Sequence, residues 1–173
     1  MKPIQYLFVG FPYSGKTTLA KELVKMGFSH INIDDLKSDG GFKNISDDDV
    51  PDKVWDGVFN KADELIVKYL NEGKNVANEY AWITRQWRDR AREVAKDAGF
   101  ETKIIYIDAP TDVIWIRWNE NIKTRNRFHL SKEELERSIK EFEKLTPDEN
   151  FIVYDQAVPV EEWIAKNFPQ PLP

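Results

Sequence analysis

The run Gly10-Phe-Pro-Tyr-Ser14-Gly15-Lys16-Thr17 has the residue types and spacing of a loop that holds phosphate, G-x-x-x-x-G-K-T. Gly10 and Gly15 let the backbone turn tightly and come close to an anion. Amide hydrogens of the turn can then face phosphate oxygens. A helix that starts just after the loop adds partial positive charge at its N-terminus. Lys16 brings a point charge to the β and γ phosphates, and the Thr17 hydroxyl is a ligand for Mg²⁺. Ser14 lies in the turn itself, and Thr18 follows in a supporting place. The ligands expected here are ATP and Mg²⁺, with GTP as an open alternative.

A second chemical feature is Ile31-Asn-Ile-Asp34-Asp35-Leu-Lys37. Asp34 is expected at the carboxyl end of a strand, beside the phosphate cleft. A carboxylate there can accept the proton of an attacking hydroxyl or hold water on Mg²⁺. Asp35 suits capping of the next helix. Further on, Asn75-Val-Ala-Asn78-Glu79-Tyr80 ends a strand with a carboxylate, and Trp82 either covers an acceptor or joins the core. Arg85, Arg88 and Arg92 share a helix face at i, i+3, i+7. Lys123-Thr-Arg125-Asn-Arg127 is a short basic stretch. His30 and His129 are far apart and the chain has no Cys, so a zinc site has no support.

Positioning these groups takes strands that alternate with helices. Strands are expected at Gln5–Val9, His30–Ile33, Asn75–Asn78, Lys103–Ile107 and Phe151–Tyr154. Helical spacing covers Thr17–Met26, Val54–Leu70, Thr84–Ala98, Thr111–Ile122, Ser131–Leu145 and Pro159–Asn167. Ser131 with Glu134 makes a capping box. Gly40–Asp52 is polar and reads as a mobile loop, and Pro169–Pro173 as a proline-rich tail. Such alternation predicts an α/β fold with a mostly parallel sheet covered on both faces. Ligands of these sheets bind beyond the carboxyl ends of the strands.

The loop Gly10–Thr17 together with Ile31–Lys37 resembles the P-loop kinases of the polynucleotide 5′-kinase and zeta-toxin-like group, small AAA-type phosphotransferases. Gluconate- and adenylylsulfate-kinase-like enzymes are broader relatives. The resemblance spans nearly the whole chain in element order. It implies a three-layer P-loop NTPase fold, strand order 2-3-1-4-5, and a lid around 121–130 whose arginines clamp the transferring phosphoryl group. By that resemblance Asp34 is the general base, Arg125 the first lid arginine and Arg127 the second. Lys37 and Arg88 become acceptor contacts, with Trp82 beside them, Glu79 lies near Mg²⁺ or the acceptor, and Tyr154-Asp155-Gln156 faces the adenine. Lys37 stands where the group has Arg, and a lysine lacks the bidentate fork.

Length and composition set bounds on these readings. The 173 residues suit one domain over 1–173. Apolar residues at 41 % and charged residues at 32 % fit a soluble globular chain, and the lack of a long apolar run argues against a membrane helix. The absence of Cys and of a leader pattern leads to a cytoplasmic expectation. The oligomeric state is left open. A net charge of −5 weighs against a general nucleic-acid coat. The function expected is therefore ATP-dependent transfer to a hydroxyl of a small molecule. A polynucleotide 5′-hydroxyl kinase is the alternative. A regulatory nucleotide-binding module without turnover is a further one, which Asp34 and Arg125 speak against.

Overall fold

Strands that run parallel need a crossover between them, and a helix is the usual one. The computed structural model, which describes residues 2–168, is built this way. Among the described residues the strands are β1 (Ile4–Val9), β2 (Ser29–Asn32), β3 (Val76–Glu79), β4 (Glu101–Ile107) and β5 (Phe151–Tyr154). Every pairing is parallel and the order is β2-β3-β1-β4-β5. The chain thus has the α/β fold expected of P-loop NTPases, in the expected strand order.

Central β1 is buried on both faces, and its side chains alternate between two cores. Leu7 and Val9 meet α3 (Asp52–Asn71) and α4 (Arg85–Asp97) through Val58, Phe59, Ala62, Ile66, Ala91 and Ala95. Tyr6 and Phe8 meet α1 (Lys16–Lys25) and α7 (Val160–Asn167) through Leu19, Leu23, Trp163 and Ile164. A third cluster lies over the carboxyl ends of the strands. It joins Tyr13 of the loop to Ala109, to Ile114 of α5 (Thr111–Thr124) and to Leu135 of α6 (Lys132–Lys140). That cluster is what couples the glycine-bounded loop to the 121–130 segment.

Several local expectations shift. The residues after β2 form a short helix, α2 (Ile33–Lys37), whose N-cap is Asn32 and not Asp35. Asn32 Oδ1 accepts from the amides of Asp34 at 2.9 Å and Asp35 at 3.4 Å, so both acids stand in the first turn. Gly40–Asp52, expected as a mobile loop, holds a wide turn at Ser38–Phe42 and a 3₁₀ turn at Asp47–Asp49. The Ser131/Glu134 capping box is present, yet α6 ends at Lys140 rather than Leu145. Beyond it Phe142 packs against Tyr106 and Phe11, which draws the chain off the helix axis. Pro169–Pro173 lies outside the described residues. No helix among the described residues is long and apolar enough to cross a membrane.

Candidate active site

The turn between β1 and α1 is shaped by what its glycines avoid. A Cβ on Gly10 would stand 2.7 Å from the Ile107 carbonyl of β4 and 2.9 Å from Ser14 Oγ. Gly15 has φ 104°, a conformation that costs glycine little. No side chain caps α1. The buried Ser14 Oγ has no partner among the described residues. An uncapped helix start and an unpartnered buried hydroxyl thus lie side by side in the turn, a combination that suits an anion with several oxygens.

Lys16 spans the turn, its Nζ donating to the carbonyls of Gly10 at 2.9 Å and Phe11 at 2.8 Å. Burial pulls its pKa down to about 8. The Glu79 and Asp34 charges oppose that, and nearby Arg127 adds to it. Thr17 donates from Oγ1 to Glu79 Oε1 at 2.5 Å, and the other oxygen of Glu79 meets His30 Nε2 at 2.8 Å. Burial works to raise the Glu79 pKa. The bonds from His30 and Thr17 and the Lys16 charge outweigh it, so the carboxylate stays below its ordinary range. With its proton committed to Glu79, Thr17 turns its lone pairs elsewhere, as a hard divalent cation requires.

Asp34 opens to solvent at the mouth of the cleft. Crowding by protein pushes its pKa upward and the Asp47 charge adds to the rise. Lys37, Lys16 and Arg127 oppose it. Arg127 reaches the loop from the other side, with its guanidinium carbon 4.7 Å from the Tyr13 ring centre. Buried Asn121 holds the turn that presents it. Asn121 Nδ2 donates to the Arg127 carbonyl at 3.2 Å, and Oδ1 accepts from the Arg127 amide at 3.3 Å. Tyr13 closes the link, its hydroxyl accepting from the Leu130 amide at 3.3 Å.

Comparison with known proteins fixes the family. A profile of the AAA domain family matches residues 6–145. The chain belongs to that family. No curated protein sequence matches it. A candidate kinase from Chloroflexus aurantiacus shares the fold with a TM-score of 0.76 and 20 % identity, over 100 % of both chains. A sugar kinase from Janibacter sp. HTCC2649 aligns with a TM-score of 0.69 and 20 % identity, over 96 % of this chain and 93 % of that one. Chaetomium thermophilum Kti12, in complex with ADP-AlF3, gives a TM-score of 0.72 at 13 % identity, over 99 % and 100 %.

In this AAA domain Lys16, Thr17, Glu79 and Asp34 come together, with Arg127 close by. Five expected site residues are engaged or placed otherwise. Arg88 is fully buried, pinned by Glu149 through Nε at 2.7 Å and Nη2 at 2.9 Å, and it also donates to the carbonyls of Trp82 and Ile83. Trp82 is 1 % exposed and donates to the Asn78 carbonyl, so it belongs to the core and covers no acceptor. Lys37 is buried and bonded to Asp47 and to the Ile45 carbonyl. Arg125 ends α5 with φ 50° and points to solvent, so Arg127 rather than Arg125 stands by the loop. Thr18 is exposed in the first turn of α1.

Two further groups at the loop, Arg117 and Gln156, carry no local sign of this role in the sequence. Arg117 Nη1 donates to the carbonyls of Tyr13 and Ser14, both at 3.1 Å, and Nη2 donates to Gln156 Oε1 at 2.8 Å. Gln156 Nε2 donates to the same Ser14 carbonyl at 2.6 Å. These bonds fix the backbone of the turn at Tyr13 and Ser14, and the Ser14 amide is itself held by the Phe11 carbonyl at 3.1 Å. Arg117 was visible as a cation in the helix after the fourth strand, but its target is non-local.

Proposed function

We propose that the chain is an ATP- and Mg²⁺-dependent phosphotransferase whose acceptor is a hydroxyl of a small molecule. The observation that carries this reading is the Thr17–Glu79 hydrogen bond beside a loop that only glycine can form. The donor set fits the ligands. Ser14 Oγ and uncapped amides suit phosphate oxygens, and Thr17, Glu79 and Asp34 are oxygen donors for a hard cation. Among the described residues no group of three or more His, Asp or Glu could hold a metal alone. Mg²⁺ keeps waters and shares phosphate oxygens, so the chain would need to supply few ligands. When bound, Mg²⁺ supplies neutralising charge at the β and γ phosphates.

The chain's own residues divide the work. Lys16 leaves its carbonyl partners for the phosphates, and Arg127 sets its charge over the loop from the 121–130 lid. Asp34 takes the proton of the acceptor hydroxyl. The acceptor oxygen forms its bond to the γ phosphorus as the bond to the bridging oxygen breaks, and ADP leaves with that electron pair. Arg127 offsets charge on the transferring oxygens. The net charge of −5 favours a small acceptor over a polynucleotide end. The candidate kinase and sugar kinase named above share this fold, which is compatible with the reading.

The test is transfer of labelled γ-phosphoryl from ATP to a broad panel of hydroxyl acceptors. Asp34→Asn is expected to bind Mg-ATP within about threefold of wild type and to lose transfer by roughly 10²–10⁴. An Asp34→Asn protein that transfers at the wild-type rate contradicts the assignment.

A further inference from the structure

Around Asp34, the proposed base for the acceptor hydroxyl, gather Lys37, the 45–49 segment, Tyr80 just after β3, Trp55 of α3 and Phe128. The cation of this group is already engaged. Lys37 has a side chain only 6 % exposed. Its Nζ donates to Asp47 Oδ1 at 2.7 Å and to the Ile45 carbonyl at 2.9 Å. It also lies between two rings, 5.7 Å from the Trp55 centre and 5.8 Å from that of Phe128. The other oxygen of Asp47 accepts from the Tyr80 hydroxyl at 3.3 Å, and the Asp47 carbonyl accepts from Trp55 Nε1 at 3.4 Å. From α6, Glu134 takes the Ser46 hydroxyl and Arg137 takes Asp48, so the segment is tied at several points. Arg88, the second cation expected to meet the acceptor, is buried against Glu149.

An anionic acceptor would therefore meet Asp34 and Asp47 without a free cation from either expected source. To recruit Lys37 it would have to draw a buried ammonium away from both Asp47 and the Ile45 carbonyl, and would then face the Asp47 charge at the rim. What the group does offer is three half-buried aromatic rings, with the Trp55 and Tyr80 centres 6.0 Å apart. Rings of this kind take the apolar face of a hydroxyl-rich molecule while its polar edge stays bonded.

We infer that the acceptor is an uncharged, hydroxyl-bearing ring, without a phosphate, that lies against Trp55, Tyr80 and Phe128 and directs one hydroxyl to Asp34. In this arrangement Lys37 and Asp47 are positioning residues that set selectivity against anions. The inference rests on the phosphotransferase reading, and the experiment separates the two.

Matched acceptor pairs are assayed with labelled ATP: neutral sugars and nucleosides, each against its counterpart phosphorylated at a distant position. At least a tenfold higher kcat/KM is expected for the uncharged member of every pair turned over. Asp47→Asn frees Lys37 and is expected to narrow that ratio at least threefold. Lys37→Gln leaves Asp47 unpaired and is expected to widen it. Opposite movement by two variants of one contact reports charge, which general damage to the fold does not mimic. A phosphorylated member used equally well overturns the inference, as does a ratio that neither variant moves. No transfer to any uncharged member while Mg-ATP still binds overturns it too. Failure to bind Mg-ATP instead overturns the reading beneath it.

Discussion

Lys16 and Asp34 are both shifted toward neutrality by their surroundings, and the shifts have consequences that can be measured. Lys16 is held at about 8 chiefly by burial. The charged ammonium is the form that attracts phosphate, so binding favours protonation. Affinity for Mg-ATP should fall as pH rises past about 8, with uptake of a proton on binding above that value and little below it. Calorimetry in buffers of different ionisation enthalpy checks this, and a proton count that stays at zero above about pH 8 contradicts it. Asp34 shifts upward, by crowding first and the Asp47 charge second. A general base must be ionised to act. Transfer should therefore be lost as pH falls through a pKa above the ordinary value of 3.8. An acid limb that follows an unshifted carboxylate, measured on kcat/KM, argues against Asp34 in that role.

At the scale of elements, α4 is anchored by charge inside the core. Arg88 and Arg92 both bond Glu149, which stands in the 3₁₀ turn Pro147–Glu149. Burial pushes the Glu149 pKa up, but those bonds more than reverse it and bring the group down to about 2. Its folded pKa lies below the ordinary 4.5, so its stabilisation is complete above 4.5 and is lost as pH falls toward about 2. Arg88→Met should cost about 3–5 kcal/mol by leaving a buried carboxylate short of its partner. Replacing Arg88 and Glu149 together with apolar residues should cost less. Urea unfolding reads both, and a single variant that loses under about 1 kcal/mol contradicts the account. The sequence pattern placed Arg85, Arg88 and Arg92 on one face because helical spacing is local. Which charge they meet was not legible, since Glu149 is 61 residues from Arg88. Asn32 likewise escaped notice as a cap because Asp34 and Asp35 are equally good candidates by type.

Across the whole molecule, the strand order explains what could and could not be read. The loop was legible because its chemistry lies in consecutive residues, and the strands because their apolar runs are short and bounded by turns. The expected order 2-3-1-4-5 came by resemblance, and the sheet has it. Glu79 is the instructive case. Its carboxylate was expected near Mg²⁺ or the acceptor; β3 lies directly beside β1 with Phe8 opposite Glu79, and that register brings it to Thr17. Sheet register joins residues 62 apart and leaves no local trace in either segment. The same holds for Arg117 and Gln156, which reach the loop carbonyls only because β4 and β5 pack in sequence beyond β1. These long-range ties meet at the backbone of a single turn, the one proposed to hold the nucleotide. The measurement that bears on it most directly is calorimetric titration of ATP with Mg²⁺ into wild type and Lys16→Met. Saturable binding to wild type, weakened at least about tenfold in the folded variant, is expected for a charge-assisted phosphate contact. Equal affinity in both proteins, or no binding to either, contradicts the account.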